Sequence, residues 1–172
     1  DPAAEVVRSA ISLDTDSAVK LHVLHSPGSQ RGLKVSAILQ ALKTIPDRFR
    51  VIAFLDADDD WLAEHLEISL GILNENGLTL TAHNEWLVEE GQERLTDSTA
   101  RLTQWADPFV SIFCKGCIST STVLVRRDAI AAAGGFDPSL ANGQDVDLWL
   151  AILNEPGATF EIFEQPLSRY FI

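Results

Sequence analysis

Four aspartates crowd into Val51-Ile-Ala-Phe-Leu-Asp-Ala-Asp-Asp-Asp-Trp61, at Asp56, Asp58, Asp59 and Asp60. Like charges so close repel one another, and drying them without a partner is costly. A hard divalent cation relieves both problems, because Mg2+ and Mn2+ prefer oxygen ligands. Asp56 and Asp58 can approach one ion from a single turn and leave positions on it for water or phosphate oxygens. A simpler reading has Asp59 or Asp60 cap the next helix. Capping accounts for one acid, but not for a run that begins where the apolar stretch Val51 to Leu55 ends.

Two other chemistries use similar acids. Asp56, Asp58, Asp60 and Glu67 fit the register of an EF-hand loop, but that loop turns on a glycine where Trp61 stands, and a helix should precede it. A haloacid-dehalogenase-type phosphatase places an Asp nucleophile and an Asp acid two residues apart after a strand. Its pattern wants Thr or Val where this chain has Asp60, and it usually sits near the chain start.

A second acidic segment, Asn142-Gly-Gln-Asp-Val-Asp-Leu-Trp149, follows Gly134-Gly-Phe-Asp-Pro138. Asn142 or Gly143 reads as a helix start, which puts Asp145 in the first turn near the positive end of the helix dipole. A carboxylate there stays ionised and can accept a proton from a hydroxyl. It is also what an ordinary helix-start acid looks like, and residue type alone leaves both readings open. Asp147 reads as solvated. Cys114 and Cys117 form a C-x-x-C pair, half of a four-ligand zinc site, and read as ordinary thiols. The histidines show no pattern.

The elements that must position these acids alternate between helical and extended patterns, which implies an α/β fold with a mixed sheet flanked by helices. Ala3, Val6, Val7 and Ala10 recur at helical spacing. Val19, Leu21 and Val23 alternate as in a strand, and residues 25–32 read as a loop. Val35, Ile38, Leu42 and Ile45 form the stripe of a second helix. Val51 to Leu55 reads as a central parallel strand covered on both faces. Leu62, Leu66, Leu70 and Leu73 mark one side of a helix after the acids. Residues 78–88 read as a strand turning at Glu90–Gly91, residues 96–109 as a loop over the site, and Ser121 to Val125 as a strand. Asp128 is expected to cap a helix ending at Gly134–Gly135. Val146, Trp149, Leu150 and Leu153 mark another helix, and Phe160 to Phe163 a last strand. Ligands are expected at the carboxyl ends of the parallel strands.

Thirteen basic and 25 acidic residues among 172 give a net charge of −12, which disfavours nucleic acid and anionic lipid as partners. Basic residues cluster only around Arg31 to Lys34 and at Arg126–Arg127. No apolar run approaches the roughly 20 residues that span a bilayer, so no membrane contact is indicated. With no secretory signal at the N-terminus, the expected location is the cytoplasm, including the cytoplasmic face of a membrane. Methionine is absent even at the first position, so the chain reads as a fragment.

Taken together, the motifs resemble a family. Phe54-Leu-Asp-Ala-Asp-Asp-Asp-Trp61 is similar to the "fLDaDD-x-w" signature of family-two inverting glycosyltransferases, which have the GT-A fold. Ser119-Thr-Ser-Thr-Val-Leu-Val-Arg-Arg-Asp128 resembles the strand and turn that follow, and Gly134-Gly-Phe-Asp with Gln144-Asp-Val-Asp-Leu-Trp149 resembles the "GgFd…eDwdLw" segment. The likeness covers roughly residues 20 to 170 and implies a single, Rossmann-like GT-A domain over 1–172. It implies metal and sugar-nucleotide contacts from Asp56 and Asp58, with Asp59 as a further metal ligand, Mg2+ or Mn2+ as cofactor, and Asp145 as catalytic base. Lys34 and Arg31 are candidates for phosphate contact. The implied reaction is inverting transfer of a sugar from a nucleotide-diphospho-sugar to a hydroxyl of a glycan, lipid or protein.

The chain departs from the pattern in places. Gln144 stands where Glu is usual, and Ala63 near a usual Pro. Gln165-Pro-Leu-Ser-Arg-Tyr170 is one residue longer than the Gln-x-x-Arg-Trp motif of processive synthases, so a non-processive enzyme is expected. The family's first strand and base pocket should precede Asp1. If they are truly lacking, a non-catalytic GT-A-like binding domain is the alternative.

Overall fold

The computed structural model describes residues 33–172. The chain divides into two compact units, 1–44 and 45–172. In the first, helix α1 (Leu33–Thr44) is described. It ends one residue before the expected Ile45, because Pro46 drives the residue preceding it out of the helical region. The expected helix at 3–10, the strand at 19–23, the loop at 25–32 and Arg31 lie outside the described residues. Lys34 is exposed in the first turn of α1.

The second unit holds two mixed four-stranded sheets with helices packed on them. Sheet one has the order β1 (Val51–Ala53), β6 (Leu124–Arg126), β3 (Leu80–His83), β7 (Phe160–Phe163). Sheet two has the order β2 (Asp60–Trp61), β8 (Ser168–Phe171), β4 (Glu85–Glu89), β5 (Gln92–Thr96). β6 is antiparallel to β1 and β3, and β3 is parallel to β7. Hence β1, β3 and β7 all point the same way. Each leaves sheet one at its carboxyl end and enters sheet two, through residues 54–59, through Asn84 alone, and through residues 164–167. The connection between the sheets after β1 is the acidic run itself.

Several expectations are corrected here. The described ladder of β1 is antiparallel, not parallel, and only three residues long. It stops at Phe54 because Val123, opposite, donates its N–H to Thr120 O at 3.2 Å, and the Phe54 ring packs with Phe136 and Trp149 at centroid distances of 5.7 Å to each. The helix after the acids, α2 (His65–Glu75), buries His65, Ser69 and Leu73, while Leu66 and Leu70 are exposed. Its phase is set by His65, which stacks on Trp61 at 4.3 Å, and by Leu73, which packs with Leu78 and Leu124. The strand at 78–88 is two strands broken at Asn84, whose side-chain Oδ1 accepts from Ser98 N at 2.8 Å and Thr99 N at 3.1 Å.

The loop at 96–109 contains helix α3 (Ser98–Leu102) and leads into α4 (Pro108–Lys115). Asp97 accepts from Ala100 N and Asp107 from Phe109 N, so each helix begins at an aspartate cap. Residues 121–125 open as a 3-10 turn, Thr120–Thr122, before β6 begins. In α5 (Arg127–Ala132) Asp128 sits in the first turn, with Arg126 at the cap position. The turn at Glu90–Gly91 is as expected, with positive φ at both residues (50° and 77°), the geometry of a two-residue hairpin turn. The last helix, α6 (Gln144–Leu153), and β7 also lie where the pattern puts them.

Candidate active site

At the carboxyl end of β1 the chain turns tightly, with Asp59 N donating to Asp56 O at 3.2 Å. Ala57 and Asp58 form the exposed tip, and Asp56 is half-buried. The four acids then part company. Asp60 enters β2 and pairs with Arg169 of β8 at 3.5 Å, and Arg169 also bonds Glu93 at 2.7 Å. Asp59 turns inward, where its Oδ2 accepts from the Ser121 hydroxyl and its Oδ1 from Phe171 N. Burial raises its pKa, against the pull of those two bonds. With both oxygens engaged by the protein, Asp59 anchors the turn. Of the other two acids, Asp58 is exposed and Asp56 half-buried.

The anchor is the 3-10 turn, buried throughout. The Ser121 hydroxyl oxygen also accepts from Asp56 N at 3.1 Å, and its carbonyl accepts from Trp61 Nε1 at 2.7 Å. The preceding residue, Thr120, donates its hydroxyl to Asp145 Oδ2 at 2.9 Å. Consecutive residues of one turn therefore hold the acidic loop and the start of α6. Asp145 is half-buried in the first turn of α6, after Gly143 with φ of 69°, a conformation that suits glycine. Its other oxygen accepts from Val146 N at 2.9 Å. Asp147 is exposed, and Gln144 donates to Leu140 O at 2.8 Å.

One aromatic ring from the acidic segment and two from the Gly-Gly-Phe-Asp and Gln-Asp-Val-Asp-Leu-Trp segments pack together. Phe54, two residues before Asp56, packs on Phe136 of the Gly-Gly-Phe-Asp segment and on Trp149, one helical turn beyond Asp145. Trp149 is fully buried, as are the flanking Leu148 and Ile152. This cluster packs together the segments that carry Asp56 and Asp145.

Sequence reasoning missed a group of buried polar residues beneath the turn. His83 Nδ1 lies 2.7 Å from Asn84 O, and His83 Nε2 lies 2.9 Å from His65 Nδ1. A carbonyl only accepts, so His83 carries its proton on Nδ1. Its bare Nε2 then accepts from His65 Nδ1–H, which leaves His65 Nε2 as a buried acceptor with no partner among the described residues. Burial lowers the pKa of both rings to about 4, with the charge of His83 adding to the effect on His65. Glu85 is also buried, and burial pushes it up to about 7; nearby Asp59 pushes the same way, while Ser119 and Arg101 oppose. Isolated histidines and a strand-end glutamate carry no periodic signal, so only the fold exposes this cluster.

The basic pair at 126–127 is structural. Arg126 bonds Leu78 O, Leu73 O and Asn74 at the end of α2, and Arg127 bonds Pro46 O and Asp47. Cys114 is exposed and Cys117 buried, both as free thiols. Among the described residues, no three His, Cys, Asp or Glu side chains gather to hold a metal ion by themselves, and no helix is long and apolar enough to cross a membrane.

The fold has a counterpart among solved structures. The structure of S. aureus TarS 1–349 in complex with UDP-GlcNAc superposes with a TM-score of 0.65 at 15% identity, covering 98% of this chain and 46% of that one. The chain has a glycosyltransferase fold. In sequence it is 26% identical over 126 residues to the O-antigen biosynthesis glycosyltransferase WbnJ of Escherichia coli, covering 73% of this chain and 48% of that protein. The chain thus spans about half the length of both. No family model matches it.

Proposed function

We propose that this chain is the donor- and base-bearing part of an enzyme that transfers a sugar from a nucleotide-diphospho-sugar to an acceptor hydroxyl, non-processively and with inversion. The observation that carries the reading is the Thr120–Ser121 pair, which holds Asp145 on one side and the acidic turn on the other. The likeness to WbnJ and to TarS solved with UDP-GlcNAc supports the same reading.

Asp145 takes the proton from the acceptor hydroxyl. The resulting oxygen attacks the anomeric carbon from the face opposite the diphosphate, forming the new C–O bond as the bond to the phosphate oxygen breaks. The nucleoside diphosphate leaves with that electron pair. The Thr120 hydroxyl and Val146 N–H keep the Asp145 carboxylate oriented, which limits the reorganisation needed at the reaction step.

The donor set at the turn fits a hard cation in part. Asp58 offers its carboxylate at the exposed tip, Asp56 is half-buried beside it, and Asp59 is withdrawn into protein hydrogen bonds. Mg2+ or Mn2+ held there would complete its shell with diphosphate oxygens and water and would neutralise charge on the leaving group. Lys34 and Arg31 remain candidates for phosphate contact.

The test uses the full gene product with a panel of nucleotide sugars. Asp145→Asn should lower turnover by about 10²-fold or more with donor affinity nearly unchanged, since the base acts on the acceptor. Asp56→Asn with Asp58→Asn should weaken donor binding and abolish its dependence on Mn2+ in calorimetry. Near-normal turnover of Asp145→Asn would leave Asp145 as a helix-start acid and remove the reading of it as base.

A further inference from the structure

The Trp61 indole lies at the junction of the acidic turn with the buried histidine pair. Its Nε1–H donates to Ser121 O at 2.7 Å, its ring lies on His65 at 4.3 Å with an interplanar angle of 18°, and His65 is held by His83 at 2.9 Å. His83 is fixed in turn to Asn84 O. Ser121 is thus held through its carbonyl by Trp61, while its hydroxyl holds the acidic turn at Asp59 and at Asp56 N. Asp145 is reached through Thr120 instead.

We propose that Trp61 is a positioning residue for the donor half of the site, setting the acidic turn through Ser121, with His65 and His83 as its rigid backing. The proposal rests on the transferase reading for its kinetic consequence but not for its structural one. The chemistry follows from the two ends of the indole. The ring face needs a flat, neutral partner that cannot slide, and a histidine locked by a second histidine provides one. The N–H needs an acceptor that is buried and well aligned, and a buried carbonyl stripped of water makes that bond hard to replace. Trp61 also lies in β2, opposite Ser168 of β8, so its backbone is fixed by a different sheet from the one bearing β1. The indole thereby ties the turn to both sheets.

The split between Ser121 and Thr120 makes this testable. Trp61→Phe keeps an aromatic face for His65 and removes the N–H. In the full-length protein it should raise the donor KM by about 10-fold, the scale of one well-aligned hydrogen bond of about 1.4 kcal/mol, with kcat changed less than about threefold. Ser121→Ala should act in the same direction, and the double variant should be no worse than the more affected single one, because both break one chain of contacts.

Amide hydrogen exchange gives a readout independent of activity. Asp56 N and Asp59 N are both hydrogen-bonded within this assembly, and Trp61→Phe should speed their exchange by about 10-fold relative to the core amides of β6. Unchanged exchange at Asp56 and Asp59 overturns the proposal whatever the enzyme does, and so does additive behaviour of the two substitutions. Faster exchange with an unaltered donor KM, in an enzyme that Asp145→Asn still disables, also overturns it. Faster exchange in a protein with no transferase activity upholds the structural role and removes the transferase reading instead.

Discussion

Acidifying the protein should reveal the histidine pair directly. His65 and His83 are 1% and 0% exposed, and their pKa values fall from 6.5 to about 4 on folding. The unfolded chain therefore binds protons first as the pH drops, and stability is lost between about pH 6.5 and pH 4. Each pH unit in that window is worth about 1.4 kcal/mol per ring, so at about pH 5 each histidine costs about 2 kcal/mol and the two together about 4. Glu85 works the other way. Its pKa rises from 4.5 to about 7 on folding, so its contribution is fully present below 4.5 and is lost as the pH rises through 7. Between about pH 7.5 and pH 5 its protonation restores about 2 kcal/mol, leaving a net loss of about 2 in the wild type.

Glu85→Gln removes that compensation and should expose the full loss of about 4 kcal/mol over the same interval. The measurement is urea unfolding followed by tryptophan fluorescence at the two pH values, for wild type and Glu85→Gln. Equal pH dependence of the two proteins would refute the assignment of Glu85. Stability that holds steady on acidification in Glu85→Gln would refute the neutral, buried histidine pair.

Other outcomes follow from the same contacts. Thr120→Val removes the hydroxyl that orients Asp145 and should lower kcat by about 10-fold with the donor KM unchanged, read from steady-state kinetics. Phe136→Ala empties the centre of the Phe54–Phe136–Trp149 cluster and should cost about 3–5 kcal/mol in chemical denaturation. Cys114, exposed, should react with a thiol reagent in the native protein, whereas Cys117 is buried, bonded to Ser111 O, with its pKa raised by burial, and should react only on unfolding, as counted by mass spectrometry.

What the sequence by itself determined was local. Periodicity located α1, α6 and β7 because a helix face or a strand alternates wherever the core lies. The turn at Glu90–Gly91 was legible from Gly91, since glycine takes positive φ without strain, whereas the positive φ of Glu90 is imposed by the hairpin. The acidic run was legible because such a density of like charge after an apolar stretch has few explanations. The tertiary structure decided what each acid does. Asp59 and Asp60 carry the same side chain as Asp56 and Asp58, yet one is drawn onto Ser121 and the other onto Arg169. No pattern within the run distinguishes them, since their partners lie over sixty and over a hundred residues away. The phase of α2 is set by tertiary contacts for the same reason. Leucine spacing favoured Leu66 and Leu70, but the contact that turns the helix is made by His65 with Trp61 and with His83, a pairing that exists only once sheets one and two have met.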